Sequence, residues 1–266
     1  QAGDSNTTGS ENYFSGYQAG YSNRASSNHF SGYKAGYFNT FGTQNQFVGN
    51  EAGNKNTTGI SNTFSGYHAG FSNTTGSYNY AAGTDAGYSN LTSSNNVYIG
   101  HEAGYSNNDN DNIFIGKSAG YAFTDGTKNT MIGTNAGQFF SGSGDENTYL
   151  GASAGENAEG DNNTLIGVSA GQYARGNDNT FIGQMAGSGG GSSGSRNTTL
   201  GTFSGSGLSS GSYNTFIGWG AGSSIHNGSS NTFIGHGTNG GNLGITNSVA
   251  IGNNVTVTQS STVVIG

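Results

Sequence analysis

The chain has 266 residues with no cysteine, no proline and 51 glycines, and its formal net charge of -7 rests on only 8% charged residues. These totals exclude disulfide and thiolate chemistry, and seven Lys plus Arg against fourteen Asp plus Glu repel the phosphate backbone of a nucleic acid. No run approaches the roughly 18 apolar residues of a membrane helix, while 15 Phe and 15 Tyr supply bulk that disordered chains lack, so the apolar groups are few but well placed.

Read from the N-terminus, a glycine closes a short N-x-aromatic-x-G run at Gly16 and returns at Gly32, Gly49, Gly66, Gly83, Gly100 and Gly116, continuing to Gly252 and Gly266. The steps are 16 to 18 residues, with a last step of 14. A second glycine, preceded by Ala in nearly every unit, follows this anchor by four residues, as in "GYQAG" ending at Gly20 and "GQMAG" ending at Gly187. Each unit holds one short strand-forming run and then a Gly/Ser/Asn turn cluster such as "SNTTGS" at 72–77. A period near 17 is too short for helical repeats or propeller blades. The pattern predicts an all-β, parallel β-solenoid of about sixteen coils: repeats of about 17 residues over 1–240, then 14-residue repeats over 241–266, as one continuous domain. Absent proline agrees, because every strand amide is needed by a neighbouring coil.

Stacking coils turns each repeat position into a column. Asn62, Asn129, Asn179, Asn214 and Asn231, four residues before their anchors, belong to a predicted ladder of amides bonded from coil to coil. Two residues before the anchor runs a bulky column that includes Phe14, Phe30, Phe64, Tyr98, Met131, Tyr149, Phe181 and Phe233. One residue before it runs an aliphatic column, Ile99, Ile115, Ile132, Leu150 and on to Ile265. Adjacent strand residues point to opposite faces, so both faces are apolar. One thin coil has one interior, and a period near 17 leaves no residues for another sheet. The second face is therefore expected against a neighbouring subunit.

Two aromatic columns remain. Tyr17, Tyr33 and Tyr67 accompany Ser15, Ser31 and Ser65 where later coils have Ile, a volume-conserving exchange that reads as packing. Tyr21, Tyr37, Phe71, Tyr88, Tyr105 and Tyr121, five residues after the anchor, give way to Gln138, Glu156 and Gln172, with no compensating change elsewhere. These six are the candidate ligand contacts, an aromatic strip suited to sugar rings, with a buried stack as the alternative. The charged residues before the ladder Asn, namely Asp111, Lys128 and Glu146, then Asp178 and Arg196, alternate in sign as a cross-strand ion ladder would. The turn acids Asp109, Asp111, Asp145, Glu146 and Asp161 offer oxygen ligands but not calcium-loop spacing, and His29, His68, His101, His226 and His236 form no ligand pair. No catalytic residue, metal or cofactor is assigned.

The C-terminal "NSVAIGNNVTVTQSSTVVIG" at 247–266 resembles the head repeat of trimeric autotransporter adhesins of the YadA type. The longer "SNTTGSYN" at 72–79 and "NTFIGWGAG" at 214–222 resemble repeats of tail-fibre-like bacterial and phage surface proteins. The resemblance implies a left-handed parallel β-roll assembled as a homotrimer, a non-enzymatic adhesin head or fibre segment outside the cell that binds a glycan or other surface receptor. The opening "QAG" is the middle of the repeat motif, so the chain is expected to be a fragment of a longer fibre, in contact with a membrane only through anchor regions outside this sequence. Alternatives are a phage tail-fibre receptor-binding segment and a polysaccharide-acting β-solenoid enzyme, for which no groove of carboxylates is visible. A third is an ice-binding solenoid, suggested by Thr164, Thr180, Thr198, Thr215 and Thr232.

Overall fold

The computed structural model describes residues 1–139, 144–191 and 193–266, and among these there is no helix. The chain divides into two compact units, Gln1–Asn129 and Thr130–Gly266. In the first, strands β1 (Tyr13–Ser15), β2 (His29–Ser31), β3 (Gln46–Val48), β4 (Thr63–Ser65), β5 (Tyr80–Ala82), β6 (Val97–Ile99) and β7 (Ile113–Ile115) pair in parallel and in chain order.

The second unit contains β8 (Thr130–Ile132), β9 (Thr148–Leu150), β10 (Thr164–Ile166), β11 (Thr180–Ile182), β12 (Thr198–Leu200), β13 (Thr215–Ile217), β14 (Thr232–Ile234), β15 (Asn239–Gly240), β16 (Val249–Ile251), β17 (Thr256–Val257) and β18 (Val263–Ile265). Here β8 to β14, β16 and β18 form the parallel ladder, and β15 pairs with β17. Both units are parallel β-solenoids, one principal strand per coil.

The column two residues before the anchor fills the interior. Phe30, Phe47, Phe64, Phe114, Phe181, Phe216 and Phe233 are buried, and Phe30, Phe47 and Phe64 stack at 4.8–4.9 Å. The Ala–Gly pair makes room for that ring. Ala35, Ala52 and Ala69 are wholly buried beside it. At Gly70, whose φ is +58°, an added Cβ would stand 2.5 Å from the Phe64 ring. The anchor has a different reason to be glycine. At Gly66 φ is +140°, and an added Cβ would stand 2.5 Å from the carbonyl oxygen of Gly83 in the next coil.

The predicted amide ladder is present. The Asn62 Oδ1 accepts the Asn79 backbone N–H at 2.9 Å, while its Nδ2 donates to the Gly76 carbonyl at 2.8 Å. Equivalent bonds join Asn129 to Asn112, Asn179 to Asn163, Asn214 to Asn197 and Asn231 to Asn214. At this corner a side chain supplies the acceptor that a continuous β-ladder would take from the backbone. The first unit contains a second interior ladder that the sequence reading missed. Asn23, Asn39, Asn56, Asn73, Asn90 and Asn107, seven residues after their anchors, are buried; the Nδ2 of Asn39 and Asn73 donate to the Oδ1 of the preceding rung at 2.6 and 2.7 Å, whereas Asn90 and Asn107 accept the Ser93 and Tyr98 hydroxyls instead. Phe123, Ala158, Ala174, Leu208 and Ile225 take this place in later coils, all buried.

Two expectations are corrected. An additional strand pair does fit: in "NVTVT", Val255 and Val257 turn inward while Thr256 and Thr258 turn outward, and this alternation makes β17 a strand that pairs with β15. Tyr17, Tyr33 and Tyr67 are not interior packing residues: they are 61%, 43% and 50% exposed, Tyr17 and Tyr33 stack on one another at 5.6 Å, and Tyr67 rests against His68. They follow the anchor glycine, where the backbone leaves the strand, so their side chains extend over the surface instead of covering the adjacent Ser.

Candidate binding surface

The first unit presents three columns in the turn that follows each anchor, at one, two and five residues beyond it. The backbone positions them by a repeated left-handed turn. The residue two after the anchor has positive φ although it is not glycine: Lys34 (51°), Glu51 (56°), His68 (55°), Asp85 (55°) and Glu102 (56°). Each such residue costs about 1–2 kcal/mol relative to the right-handed region, a strain that the inter-coil hydrogen bonds hold in place. Lys34 N–H donates to the Tyr17 carbonyl at 2.9 Å and His68 N–H to the Asn50 carbonyl at 3.0 Å.

These residues form a charged row. The His68 Nε2 lies 3.2 Å from Glu51 and its Nδ1 lies 3.2 Å from Asp85. A neutral imidazole carries one N–H, so both contacts are donated together only by the imidazolium. His68 also leans on Tyr67 at 3.7 Å and Phe71 at 5.0 Å between ring centroids. The sequence reading asked only whether the histidines form a ligand pair and did not align this one with its carboxylate neighbours. The signal was its register, two after the anchor in the coil between those of Glu51 and Asp85. Beside the row, the Tyr33 phenol and then the Glu51 carboxylate hold the Lys34 ammonium above its usual range.

All six predicted contact residues lie on this surface, half-buried. Tyr21 and Tyr37 stack at 5.1 Å and 5°, and Phe71, Tyr88, Tyr105 and Tyr121 form a second run at 5.1–5.2 Å. Parallel rings at this spacing cover one another's faces, so each run presents ring edges and, on its tyrosines, hydroxyls. Free faces exist only where a run ends. Burial, and then Tyr88, Tyr121, Asp85 and Glu102, push the Tyr105 phenol up.

Elsewhere the predicted charges do structural work. Arg196 Nη1 donates to the Tyr213 hydroxyl at 2.6 Å and its Nε lies 3.4 Å from Asp178, all on the exposed surface where solvent screens the pair. The Asp109 carboxylate accepts the Gly126 N–H at 2.7 Å and that of Asp161 accepts the Asp145 N–H at 3.0 Å. Among the described residues, no three metal-ligating side chains converge and no helix is long and apolar enough to cross a membrane. On the outer face of the first coils, Glu11, Tyr13, His29, Gln44 and Gln46 line an open depression of about 440 Å³. Set against known protein families and curated proteins, the sequence matches no family model and no curated protein.

Proposed function

We propose that this chain is a segment of a homotrimeric extracellular surface fibre, a non-enzymatic scaffold whose first coils attach to a glycan or other surface receptor. One observation carries the reading: the second face of the sheet. In the Thr130–Gly266 unit the interior is already filled by Phe181, Phe216 and Phe233, yet Leu150 and Leu200 remain 44% and 46% exposed. Ile234, Ile251 and Ile265 continue the same exposed column. An aliphatic strip at this regular spacing is what an interface between copies needs, and the resemblance of residues 247–266 to a trimeric head repeat is the reason for proposing three.

Light scattering of the intact chain at micromolar concentration tests this, with a mass three times 26.9 kDa expected. Ile182→Asp or Ile217→Asp, both half-buried outward positions, should convert the trimer to smaller species that keep their β circular dichroism. A folded wild-type monomer would overturn the reading. The column of Thr164, Thr180, Thr215 and Thr232 lies on this same outward face. If the chain is monomeric, ice binding takes precedence, and thermal hysteresis measures it.

A further inference from the structure

The aromatic column five residues after the anchor is interrupted once. Between Tyr37 and Phe71 the register position is Asn54, which is buried and donates from Nδ2 to the Lys34 carbonyl at 3.2 Å. It makes a floor where the column elsewhere has a ring. The flanking rings are therefore two coils apart, about 10 Å at about 4.8 Å per coil. Tyr21 covers the far face of Tyr37 and Tyr88 covers the far face of Phe71, which leaves the two inner faces directed at the gap. Lys55 Nζ lies 4.8 Å over the Phe71 ring and Lys34 Nζ lies 5.7 Å from the Tyr37 centroid. The other face of Phe71 is occupied by Tyr88, so the Lys55 ammonium borders the gap; the Lys34 ammonium, 5.2 Å from the Tyr33 centroid and 5.7 Å from that of Tyr37, stands between those two rings beside it. Phe38, an exposed ring, lies nearly perpendicular to Tyr37 with the centroids 4.6 Å apart.

Charge singles out the same place. Between residues 17 and 71 the chain has three cationic residues, Arg24, Lys34 and Lys55, against the single carboxylate of Glu51, whereas its other four Lys and Arg stand against thirteen acids. Glu51 itself is held by His68. An acidic chain thus becomes locally basic where its aromatic ladder lacks a rung.

We propose that this gap is a binding slot for one carboxylated pyranose, a uronic or sialic acid residue of a surface glycan, which rests on reading the chain as an attachment fibre. Two ring faces about 10 Å apart are too widely spaced for a flat aromatic guest, which would reach contact distance of about 3.5–4.0 Å on one side only. A sugar chair is thicker and meets both faces with its C–H groups. Lys34 and Lys55 leave the two aromatic faces to pair with its carboxylate as the sugar enters, replacing cation–π contacts with a charge-assisted hydrogen bond. The overall acidity of the chain points to a neutral or basic glycan, but the local field at the slot is the one a ligand meets on contact.

The test uses the full chain with 3′-sialyllactose and trigalacturonate as probes, and lactose and the methyl-esterified trigalacturonate as neutral controls. Calorimetry and saturation-transfer NMR are the readouts. At least one acidic probe should bind, with saturation passing from aromatic protons, and each neutral partner should bind at least tenfold more weakly. Asn54→Tyr restores the missing ring and should abolish binding with the melting temperature kept or raised. Lys34→Gln with Lys55→Gln, which touches only surface side chains, should weaken binding at least tenfold and flatten its salt dependence. Equal binding of acidic and neutral probes, unchanged binding in either variant, or no binding of both acids would overturn the slot. Attachment of the chain to cells that survives Asn54→Tyr would also overturn it while leaving the fibre reading intact; a wild-type chain that attaches to no cell or glycan would remove that reading as well.

Discussion

Asn62→Ala removes one rung of the amide ladder and leaves one buried partner without a bond. The Asn79 N–H loses its 2.9 Å acceptor, while the Gly76 carbonyl loses its 2.8 Å donor but keeps the Asn73 Nδ2 at 3.0 Å. The Asn79 amide is buried, so water does not replace the lost acceptor. One unsatisfied group costs about 1–3 kcal/mol. In a solenoid the coils interact mainly with their neighbours, so the loss concentrates near the fourth and fifth coils. Native-state hydrogen exchange reads it directly: the Asn79 amide should exchange faster by roughly one to two decades, at about 1.4 kcal/mol per decade. Amides at Asn214 and Asn231 should change little. An Asn79 exchange rate within threefold of wild type would refute the claim that side-chain amides stand in for the backbone ladder at this corner.

Two buried tyrosines give opposite expectations. Tyr98 donates its hydroxyl to the Asn107 Oδ1 at 2.6 Å, and Tyr98→Phe should destabilise by about 0.5–1.5 kcal/mol in urea titration. The Tyr149 hydroxyl has no hydrogen-bond partner among the described residues, so Tyr149→Phe should be neutral or stabilising. Burial raises both phenols, and nearby Asp109 and Asp161 raise them further. Their stabilisation is therefore complete below the unfolded value near 10 and declines as pH rises past it, because the unfolded chain loses those protons first. The double Phe variant should show a shallower alkaline decline in melting temperature. Gly70→Ala, which places a methyl against the Phe64 ring at positive φ, should destabilise its coil by more than 1 kcal/mol in urea titration. Arg196→Ala should leave the urea midpoint close to that of the wild type, since its partners Tyr213 and Asp178 are both exposed to solvent.

The coil was legible because its constraints repeat. Phe, Asn and Gly recur at fixed offsets from the anchor, and stacking turns a linear offset into a physical column, so the interior ring and the first amide ladder follow from spacing. The second ladder, from Asn23 to Asn107, escaped because Asn in a Gly/Ser/Asn turn looks like ordinary turn chemistry and nothing in its identity says that it faces inward. The candidate surface was half legible. Tyr21 to Tyr121 were found by register, but counting members of a column hides its gaps, and Asn54 carries its meaning through what is missing between Tyr37 and Phe71. His68 was lost for a related reason: its partners are 17 residues away on either side, a distance that has no local signature until the register two after the anchor is aligned.

The left-handed residues two after the anchor bear on how such a surface changes. Since their backbone conformation is imposed by the coils above and below, the side chain is released from any duty to shape the turn, and Lys34, Glu51, His68, Asp85, Ser118, Met185 and Phe203 all occupy it. The position behaves as a letter slot in a line of type. Exchanging one letter alters the chemistry at one height and leaves the interior ring, the amide rung and the paired amides of that coil as they were. A new sign or a new ring is then met by the letters above and below it and by the rings beside it, as His68 meets Glu51, Asp85, Tyr67 and Phe71, so within each unit recognition can be rewritten one coil at a time.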